Sequence, residues 1–267
     1  MTGQYTDSPA RGRPVLEAFG LSNPGPVRKT NEDSFVVDEQ LQLFVVADGM
    51  GGHSAGEVAS SLAVETIVGF IRGTEEDGEL SWPYGIEPEL SFSGNRLRTA
   101  THLANRRVFR VAERHDEYTG MGTTVVSALI AGTRLAVTHA GDSRLYVYAG
   151  GHLTQLTRDD TWAATVLAPD SGGPHGRVPQ AIRHVLTNVL GARERADIHV
   201  TERDLSGGEL ILLCSDGLHG VIDDRALCGM LRAGVKPSDV VPQLIDAALA
   251  AGTRDNVTAV LIRYDGE

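Results

Sequence analysis

The sequence predicts an α+β fold with antiparallel sheets rather than an alternating βαβ fold. The predicted elements run as short strands, two long helices, more strands, further helices and a closing strand. Tight turns such as Ala131-Gly132 and Ala149-Gly150-Gly151 separate alternating strands, which favours antiparallel pairing. No stretch between residues 15 and 265 resembles an interdomain linker. We therefore expect a flexible N-terminus at residues 1–14 and a single domain at residues 15–265.

The first half of the chain predicts a β-hairpin followed by two helices. Glu17 to Ser22 is a candidate strand, and the β-rich runs Ser34 to Val37 and Leu43 to Ala47 flank a polar turn. Gly56 to Arg72 has helical periodicity, and Asn95 to Asp116 predicts a second helix with an arginine-rich outer face. The buried face predicted for the first helix consists of Ala59, Ala63, Ile67 and Phe70. We expect a surface loop at Gly73 to Gly94 between the helices.

The second half predicts mostly strands. Asp159 to Ala168 has a helical pattern, and two further helices are expected at Asp223 to Leu231 and Pro237 to Ala251. Pro169 to Pro179 is rich in proline and glycine and is a candidate flap. The expected strands are Thr123 to Ile130, Arg134 to His139, Ser143 to Tyr148, His152 to Leu156, Ile198 to Arg203, Glu209 to Cys214 and Val257 to Arg263.

The composition excludes several classes of protein. The 267 residues carry a formal net charge of −11, which argues against a general nucleic-acid binder because such proteins need a basic surface. A phosphorylated substrate would have to be attracted by bound cations or a local arginine. The two cysteines, Cys214 and Cys228, provide no disulfide framework and fit a cytoplasmic setting. No apolar stretch approaches the roughly 18 to 20 residues of a membrane span, so we expect no membrane partner.

Five short acidic motifs carry the functional signal. Each carboxylate is adjacent to Gly, Asn or another acid. If these carboxylates cluster in space, they would form an oxygen-rich site for Mg²⁺ or Mn²⁺. A bridging aspartate could hold two ions roughly 3.5–4 Å apart with a water between them. The motifs are Arg28-Lys29-Thr30-Asn31-Glu32-Asp33, Asp48-Gly49-Met50-Gly51-Gly52, Gly141-Asp142-Ser143-Arg144, Ser215-Asp216-Gly217 and Arg254-Asp255-Asn256.

Each motif also has an ordinary interpretation. A lone Asp-Gly is usually a turn, and Gly141 to Arg144 is compatible with a hairpin turn between two strands. Arg28 could be a solvated surface charge or a phosphate ligand whose planar fork matches two oxygens. His139, on an alternating strand, is better explained by packing than by catalysis. The joint occurrence of the motifs favours the metal site.

In this order, the motifs resemble those of the metal-dependent protein phosphatases of the type 2C class, in their bacterial single-domain form. The resemblance covers about residues 17 to 264. It implies a four-layer α-β-β-α sandwich, with two central antiparallel β-sheets flanked by helices and metals at one end between the sheets. The matching segments are Arg28 to Asp33, Val45 to His53, Gly56-Glu57, Gly122 to Thr124, Ala140 to Arg144, Leu213 to Gly217 and Arg254 to Thr258.

The resemblance also assigns roles. It implies that Asp48 bridges two Mn²⁺ or Mg²⁺ ions and that Gly49 contributes its carbonyl. Asp216 and Asp255, assisted by Asn256, would hold one ion. Glu32 and Asp33 would lie near the other. Arg28 would clamp the phosphate, and Asp142 with Asp216 would form a weaker third site.

The implied reaction is hydrolysis of phosphoserine or phosphothreonine in proteins by a metal-bridging water or hydroxide, without a phosphoenzyme. The implied partners are phosphorylated proteins, including a cognate serine/threonine kinase or its targets.

Two departures from the family pattern bear on mechanism and specificity. Met50 stands where animal members have a histidine proposed as general acid, and a thioether cannot donate a proton. Water, another group or His53 would then protonate the leaving oxygen, although Gly51-Gly52 could turn His53 away. The flap Pro169 to Pro179 replaces the common pattern, so substrate specificity cannot be transferred.

Two alternatives to a protein phosphatase remain open from the sequence. One is a catalytically weak regulator that binds a phosphorylated partner through the same fold, or controls a kinase or sigma-factor switch by binding. The other is a metal-dependent phosphatase acting on small molecules. Loss of a metal aspartate would have favoured the regulator, and all the principal acidic positions are present.

Overall fold

Two antiparallel sheets packed face to face form the centre of the molecule. The structure is a computed structural model that describes residues 15–52, 54–76, 82–166, 185–232 and 234–266. The flexible N-terminus expected at residues 1–14, the flap and His53 lie outside the described residues. Sheet A has the strand order β1-β11-β10-β7-β8 and sheet B the order β2-β3-β5-β6-β9, with β4 paired to β3.

The element order agrees with the sequence prediction. Helices cover the outer face of each sheet, which confirms the four-layer α-β-β-α sandwich. The strands are β1 Leu16–Asn23, β2 Asp33–Asp38, β3 Leu43–Met50, β4 Gly122–Thr123, β5 Val125–Ala131, β6 Arg134–Ala140, β7 Arg144–Ala149, β8 His152–Gln155, β9 His199–Asp204, β10 Glu209–Cys214 and β11 Val257–Tyr264. The helices are α1 Ala55–Glu76, α2 Phe92–Arg114, α3 Trp162–Val166, α4 Asp216–His219, α5 Asp224–Met230 and α6 Pro237–Ala250, with a 3₁₀ turn at Asp116–Tyr118.

Three apolar layers hold the sandwich together. The central layer joins the inner faces of the two sheets, for example Phe44 and Val126 of sheet B with Ile211 and Val260 of sheet A. A second layer lies between sheet B and helices α1 and α2, and a third lies between sheet A and helices α5 and α6. Burial of strands on both faces explains why β5 and β10 read as continuous apolar runs instead of alternating ones.

The segment Gly141 to Arg144, for which a hairpin turn was the ordinary alternative interpretation, is not a hairpin. It follows β6 in sheet B and precedes β7 in sheet A, so these two strands do not pair with each other. Strand β6 pairs with β5 and β9, whereas β7 pairs with β10 and β8. Two strands alternate in the same way whether they form a hairpin or belong to different sheets. The sequence pattern alone therefore could not distinguish the two arrangements. The segment therefore carries Asp142 across from one sheet to the other.

The predicted helices differ from the observed ones in detail. Phe70 was predicted on the buried face of α1 and is only partly buried, whereas Ile71, four residues after Ile67, is fully enclosed. The loop expected at Gly73 to Gly94 is shorter, because α1 continues to Glu76 and α2 begins at Phe92. In the segment predicted as helix from Asp159, the described helix α3 begins only at Trp162.

Candidate functional site

The acidic motifs meet at one end of the sandwich, between the two sheets. Asp33 on β2 lies directly opposite Asp48 on β3 in the antiparallel register. In sheet A, β10 ends at Cys214 and β11 begins at Val257, so Asp216 and Asp255 follow and precede neighbouring strand ends. The electrostatic influence of Asp33, Asp142, Asp216 and Asp255 on Asp48 places all five carboxylates in one cluster.

Asp33 is buried and only half satisfied. Ser215 Oγ and Thr258 Oγ1 donate hydrogen bonds to its Oδ2 at 2.8 and 2.6 Å. Its Oδ1 is buried without a hydrogen-bond partner among the described residues. Burial raises the pKa of Asp33 to about 7, and the charge of Asp216 adds to the effect. A carboxylate oxygen held in this way can accept a cation.

Asp48 and Asp142 experience the same crowding. Burial raises the pKa of Asp48 well above its usual value, and the neighbouring acids, first Asp33 and then Asp216, raise it further. The pKa of Asp142 rises to about 7, again through burial and then through Asp216. Bringing unneutralised carboxylates this close is unfavourable, and a divalent cation would remove the cost.

The backbone of Asp48 is held in place by hydroxyl groups. Thr124 Oγ1 accepts a hydrogen bond from the Asp48 N–H at 3.1 Å, and Thr123 Oγ1 donates to the Asp48 carbonyl at 2.9 Å. Thr124 Oγ1 also lies 2.7 Å from Ser143 Oγ, beside Asp142. These contacts give the Gly122-Thr-Thr segment a positioning role that its sequence did not reveal.

Gly49 marks the place where β3 approaches the start of α1. A Cβ atom at Gly49 would lie 2.0 Å from the Gly56 carbonyl oxygen and 2.7 Å from the Glu32 carbonyl oxygen. Glu32 sits against Gly56 in the same contact, because its Oε1 would lie 2.6 Å from a Cβ at that glycine. The pKa of Glu32 is raised by burial, while Arg28 opposes the shift. The two glycines thus allow strand, helix and acidic loop to meet.

Asn256 fixes the loop that carries Glu32. Its Oδ1 accepts the Glu32 N–H at 2.8 Å, and its Nδ2 donates to the carbonyls of Pro24 and Thr30 at 2.9 and 3.0 Å. Both ends of the amide therefore bind backbone. This geometry supports the predicted assisting role of Asn256 through positioning, rather than as a ligand whose oxygen is free.

Arg28 is the cation at the mouth of the cluster. Its Nη2 donates to Asp255 Oδ2 at 2.7 Å, and about half of its side chain (49%) is exposed. The hydrogen bond to Asp255 is the main cause of the raised pKa of Arg28. The guanidinium is thus charged and held beside the acids, and it carries N–H donors beyond the one that binds Asp255.

His219 is a site neighbour that sequence reasoning missed. It follows Asp216 by three residues in α4, and its Nε2 donates to the Asp142 carbonyl at 2.9 Å. Burial, assisted by the charge of Arg144, lowers the pKa of His219 to about 4, so the ring is neutral near pH 7. The i, i+3 spacing from Asp216 was the available signal. Ser215 and Thr258 were also missed, although both lie inside the recognised motifs.

The residues present fit hard divalent cations. The potential donors are carboxylate and carbonyl oxygens, which Mg²⁺ and Mn²⁺ prefer. The bare Oδ1 of Asp33 and the raised pKa values of three aspartates indicate a cluster that lacks positive charge. Among the described residues, no three acidic, His or Cys side chains form a complete cage. An ion here would therefore share its coordination with backbone carbonyls and water.

Comparison with known proteins decides the family. A model of the family described as protein phosphatase 2C matches residues 28–258. The chain belongs to the protein phosphatase 2C family. Serine/threonine protein phosphatase PstP of Mycobacterium tuberculosis is 34% identical over 259 residues, which are 96% of this chain and 47% of PstP. The chain thus spans about half the length of this relative. Serine/threonine phosphatase stp of Listeria monocytogenes is 28% identical over 94% of this chain and 96% of its own length.

Solved structures of family members share the fold. The catalytic domain of PstP in complex with two manganese ions is 32% identical, with a TM-score of 0.77, and the match covers 93% of this chain and 98% of that chain. Serine/threonine phosphatase Stp1 from Staphylococcus aureus matches with a TM-score of 0.80 and 28% identity over the full length of both chains. These likenesses confirm the family and fold that the motifs indicated.

The raised pKa values predict how pH affects the metal-free protein. Asp33 and Asp142 bind protons more tightly in the folded state, so their contribution to stability is complete below the unfolded pKa of about 3.9 and is lost as pH rises through about 7. We expect the melting temperature of chelator-treated protein to fall across this range. We expect Mn²⁺ to raise the melting temperature more at pH 8 than at pH 5, because the carboxylates are deprotonated at the higher pH. Thermal unfolding at several pH values, with and without metal, measures both effects. An equal metal effect at the two pH values would contradict this account.

A matched pair of glycines tests the contact between β3 and α1. Gly49→Ala should displace the start of α1 and weaken Mn²⁺ binding, because its Cβ would collide with two backbone carbonyls. Gly52→Ala is the control, since a Cβ there meets nothing within 4 Å. Isothermal titration with Mn²⁺ on both variants provides the measurement. Equal affinity in both variants would show that the close approach is not required.

Proposed function

We propose that this protein is a metal-dependent serine/threonine protein phosphatase whose phosphatase domain spans residues 15–265. The observation that carries the proposal is the cluster of five carboxylates between the sheets, with its excess negative charge and Arg28 at its mouth. Membership of the protein phosphatase 2C family supports it. So do the names of the Mycobacterium and Listeria relatives.

The proposed metal-ligand roles are those that the family resemblance implies. Asp48, which is influenced by the charges of Asp33, Asp142, Asp216 and Asp255, is the candidate bridging ligand, with the Gly49 carbonyl as a further candidate. Asp216 and Asp255 flank it from sheet A, and Glu32 and Asp33 from sheet B. Burial, and then the charge of Asp216, raise the pKa of Asp142. Asp142 is the candidate ligand of a third, weaker metal site. Mn²⁺ or Mg²⁺ bound here would neutralise phosphoryl charge and make a nearby water more acidic.

The chain's own residues bind and orient the phosphate. Arg28 offers a planar set of N–H donors to phosphoryl oxygens, while its bond to Asp255 holds the guanidinium over the cluster. Asn256 and Ser60 fix the backbone of Glu32, since Ser60 Oγ donates to the Glu32 carbonyl at 2.6 Å. Met50 cannot protonate the leaving oxygen, because a thioether carries no proton to donate.

Phosphorylated serine or threonine proteins are the proposed substrates, among them a cognate kinase or its targets. None of the helices in the described ranges is both long and apolar enough to cross a membrane. A cytoplasmic location remains a prediction from cysteine usage and composition.

Phosphate release from a phosphothreonine peptide tests the proposal. We expect release with Mn²⁺, none with chelator, and a loss of at least about a hundredfold in Asp216→Ala, since charge stabilisation is the main contribution to phosphoryl transfer. Asp216→Ala should still fold, because removing one acid relieves like-charge crowding. Circular dichroism provides the folding control. Well-folded, metal-loaded wild type that binds the peptide without turnover would instead support a binding regulator.

A second substitution separates binding from chemistry. Arg28→Ala should raise KM about tenfold with a smaller effect on kcat, because a charge-assisted phosphate contact is made in the ground state and the transition state alike. Arg72→Ala is the matched control, since Arg72 forms a comparable exposed pair with Asp38 at 3.1 Å outside the cluster. Steady-state kinetics on the same phosphopeptide give both constants. A large fall in kcat with unchanged KM would contradict the clamp.

A further inference from the structure

A groove between α1 and α2 lies outside the acidic cluster. This open groove has a volume of about 600 Å³, and its apolar floor includes Phe70, Leu103 and Val111, each only partly buried. Gly69 lines this groove without a side chain, and a Cβ there would meet nothing within 4 Å. Partly exposed apolar residues beside an unfilled depression are typical of a binding surface.

Arginines line the rim of this groove. Arg107 pairs with Glu65 across it at 3.1 Å. Arg106, Arg110 and Arg114 recur every four residues along α2, are exposed, and form no ion pair with any residue that the structure describes. A stripe of unpaired positive charge is notable on a chain with a net charge of −11. The rim therefore offers a local site for negative charge.

The groove runs toward the phosphatase site. Arg96 near the start of α2 donates to the Ile71 carbonyl near the end of α1, whereas Arg107 contacts Glu65 further back. The helices are thus antiparallel, and the end of α2, at Arg114, lies toward the start of α1. There Gly56 touches Glu32 and Gly49 of the site. Gly69 lies thirteen residues after Gly56 in α1, which corresponds to roughly 20 Å of helix, a distance that about six extended residues can span.

We propose that this groove docks an acidic segment with one bulky apolar side chain, carried by the phosphoprotein substrate a few residues from its phosphorylated residue. The proposal rests on the phosphatase function and adds a substrate preference to it. The apolar side chain fills the space above Gly69, and the flanking acids pair with Arg106, Arg110 and Arg114. Charges are screened beyond about 8–10 Å at physiological salt, so a short acidic segment is influenced mainly by these arginines.

The chemistry favours a peptide over a larger polyanion. A nucleic acid or an anionic membrane would extend past the rim and meet the rest of a surface with a net charge of −11, which repels it. Neither a nucleic acid nor a membrane would insert a single apolar group against the apolar floor of the groove. Acidic residues around an apolar anchor match both features of the groove.

The direct test uses an unphosphorylated probe, so that the catalytic site takes no part. The probe is a fluorescein-labelled peptide with the core Glu-Glu-Phe-Glu-Glu between Gly-Ser spacers, and its anisotropy is measured with wild-type protein. We expect saturable binding that weakens with salt and with replacement of the probe's Phe by Ala. A labelled DNA oligonucleotide and phosphatidylserine vesicles should bind at least about tenfold more weakly. Equal or tighter binding of either would overturn the peptide assignment.

Two glycines of α1 provide a steric test. Gly69→Leu fills the groove, whereas Gly73→Leu adds the same side chain outside the groove lining. A Cβ meets nothing within 4 Å at either position, and leucine favours a helix more than glycine does, so both variants should fold. We expect Gly69→Leu to weaken probe binding about tenfold or more and Gly73→Leu to leave it unchanged. Equal binding by the two variants would overturn the groove as the docking site.

A charge-matched pair tests the rim. Arg106→Glu with Arg110→Glu should weaken probe binding on the order of tenfold. Arg225→Glu with Arg232→Glu makes the same change in net charge at exposed arginines of the opposite helical layer and should have little effect. Equal loss in both double variants would show a general charge effect and would contradict docking at the rim.

Activity separates the docking proposal from the phosphatase proposal. Hydrolysis of p-nitrophenyl phosphate should be equal in wild type, Gly69→Leu and the double variant Arg106→Glu with Arg110→Glu. This compound is too small to contact the groove while it is bound at the acidic cluster. The second substrate is a phosphothreonine peptide that carries the acidic core about five residues from the phosphothreonine. For this peptide, kcat/KM should fall about tenfold in both variants relative to wild type. Absence of p-nitrophenyl phosphate hydrolysis in the wild type would contradict the phosphatase function. Normal hydrolysis, with no difference between wild type and variants on the tethered peptide, would overturn docking alone.

Discussion

The mutual repulsion of carboxylates between the two sheets is the constraint on which the rest of the site depends. Asp33 and Asp48 face each other across an antiparallel pair, and like charges at such positions are destabilising. Ser215 and Thr258 satisfy only one oxygen of Asp33. The apolar layers of the sandwich must therefore provide the free energy that holds these acids together until a cation neutralises them.

The crossing between the sheets determines where Asp142 lies. Asp160 holds the crossing at Gly141 from both sides, since its carboxylate accepts the Gly141 N–H at 3.0 Å and its own N–H donates to the Gly141 carbonyl at 2.9 Å. Arg144 then binds Asp159 through two hydrogen bonds of 2.9 and 2.7 Å. The two acids after β8 thus fix both ends of the crossing segment, so Asp142 is placed by long-range contacts rather than by a local turn.

Most of the fold and of the acidic set could be predicted because each depends on local pattern or on the recognised motifs. Strand alternation and the apolar runs identified the strands, and Asp48, Asp216 and Asp255 stood out at strand ends. The sequence pattern did not show which distant strands and residues contact one another. The sheet that β7 joins, the hydroxyl donors to Asp33 and the backbone contacts of Asn256 all depend on residues far apart in sequence. Phe70 was misplaced because helical periodicity cannot distinguish a buried face from a groove.

The charge distribution separates two tasks that one surface could not perform. If the proposed phosphatase function holds, an acidic cluster that attracts metal ions also repels the substrate's phosphate, and Arg28 at its mouth is already paired with Asp255. Arg106, Arg110 and Arg114 of α2 lie on a different face, form no ion pair with any residue that the structure describes, and border apolar floor residues. Placing substrate capture there would allow the overall charge to remain negative for metal binding. On this view the arginine-rich face of α2 compensates at a distance for the acidity that the proposed metal-dependent reaction requires.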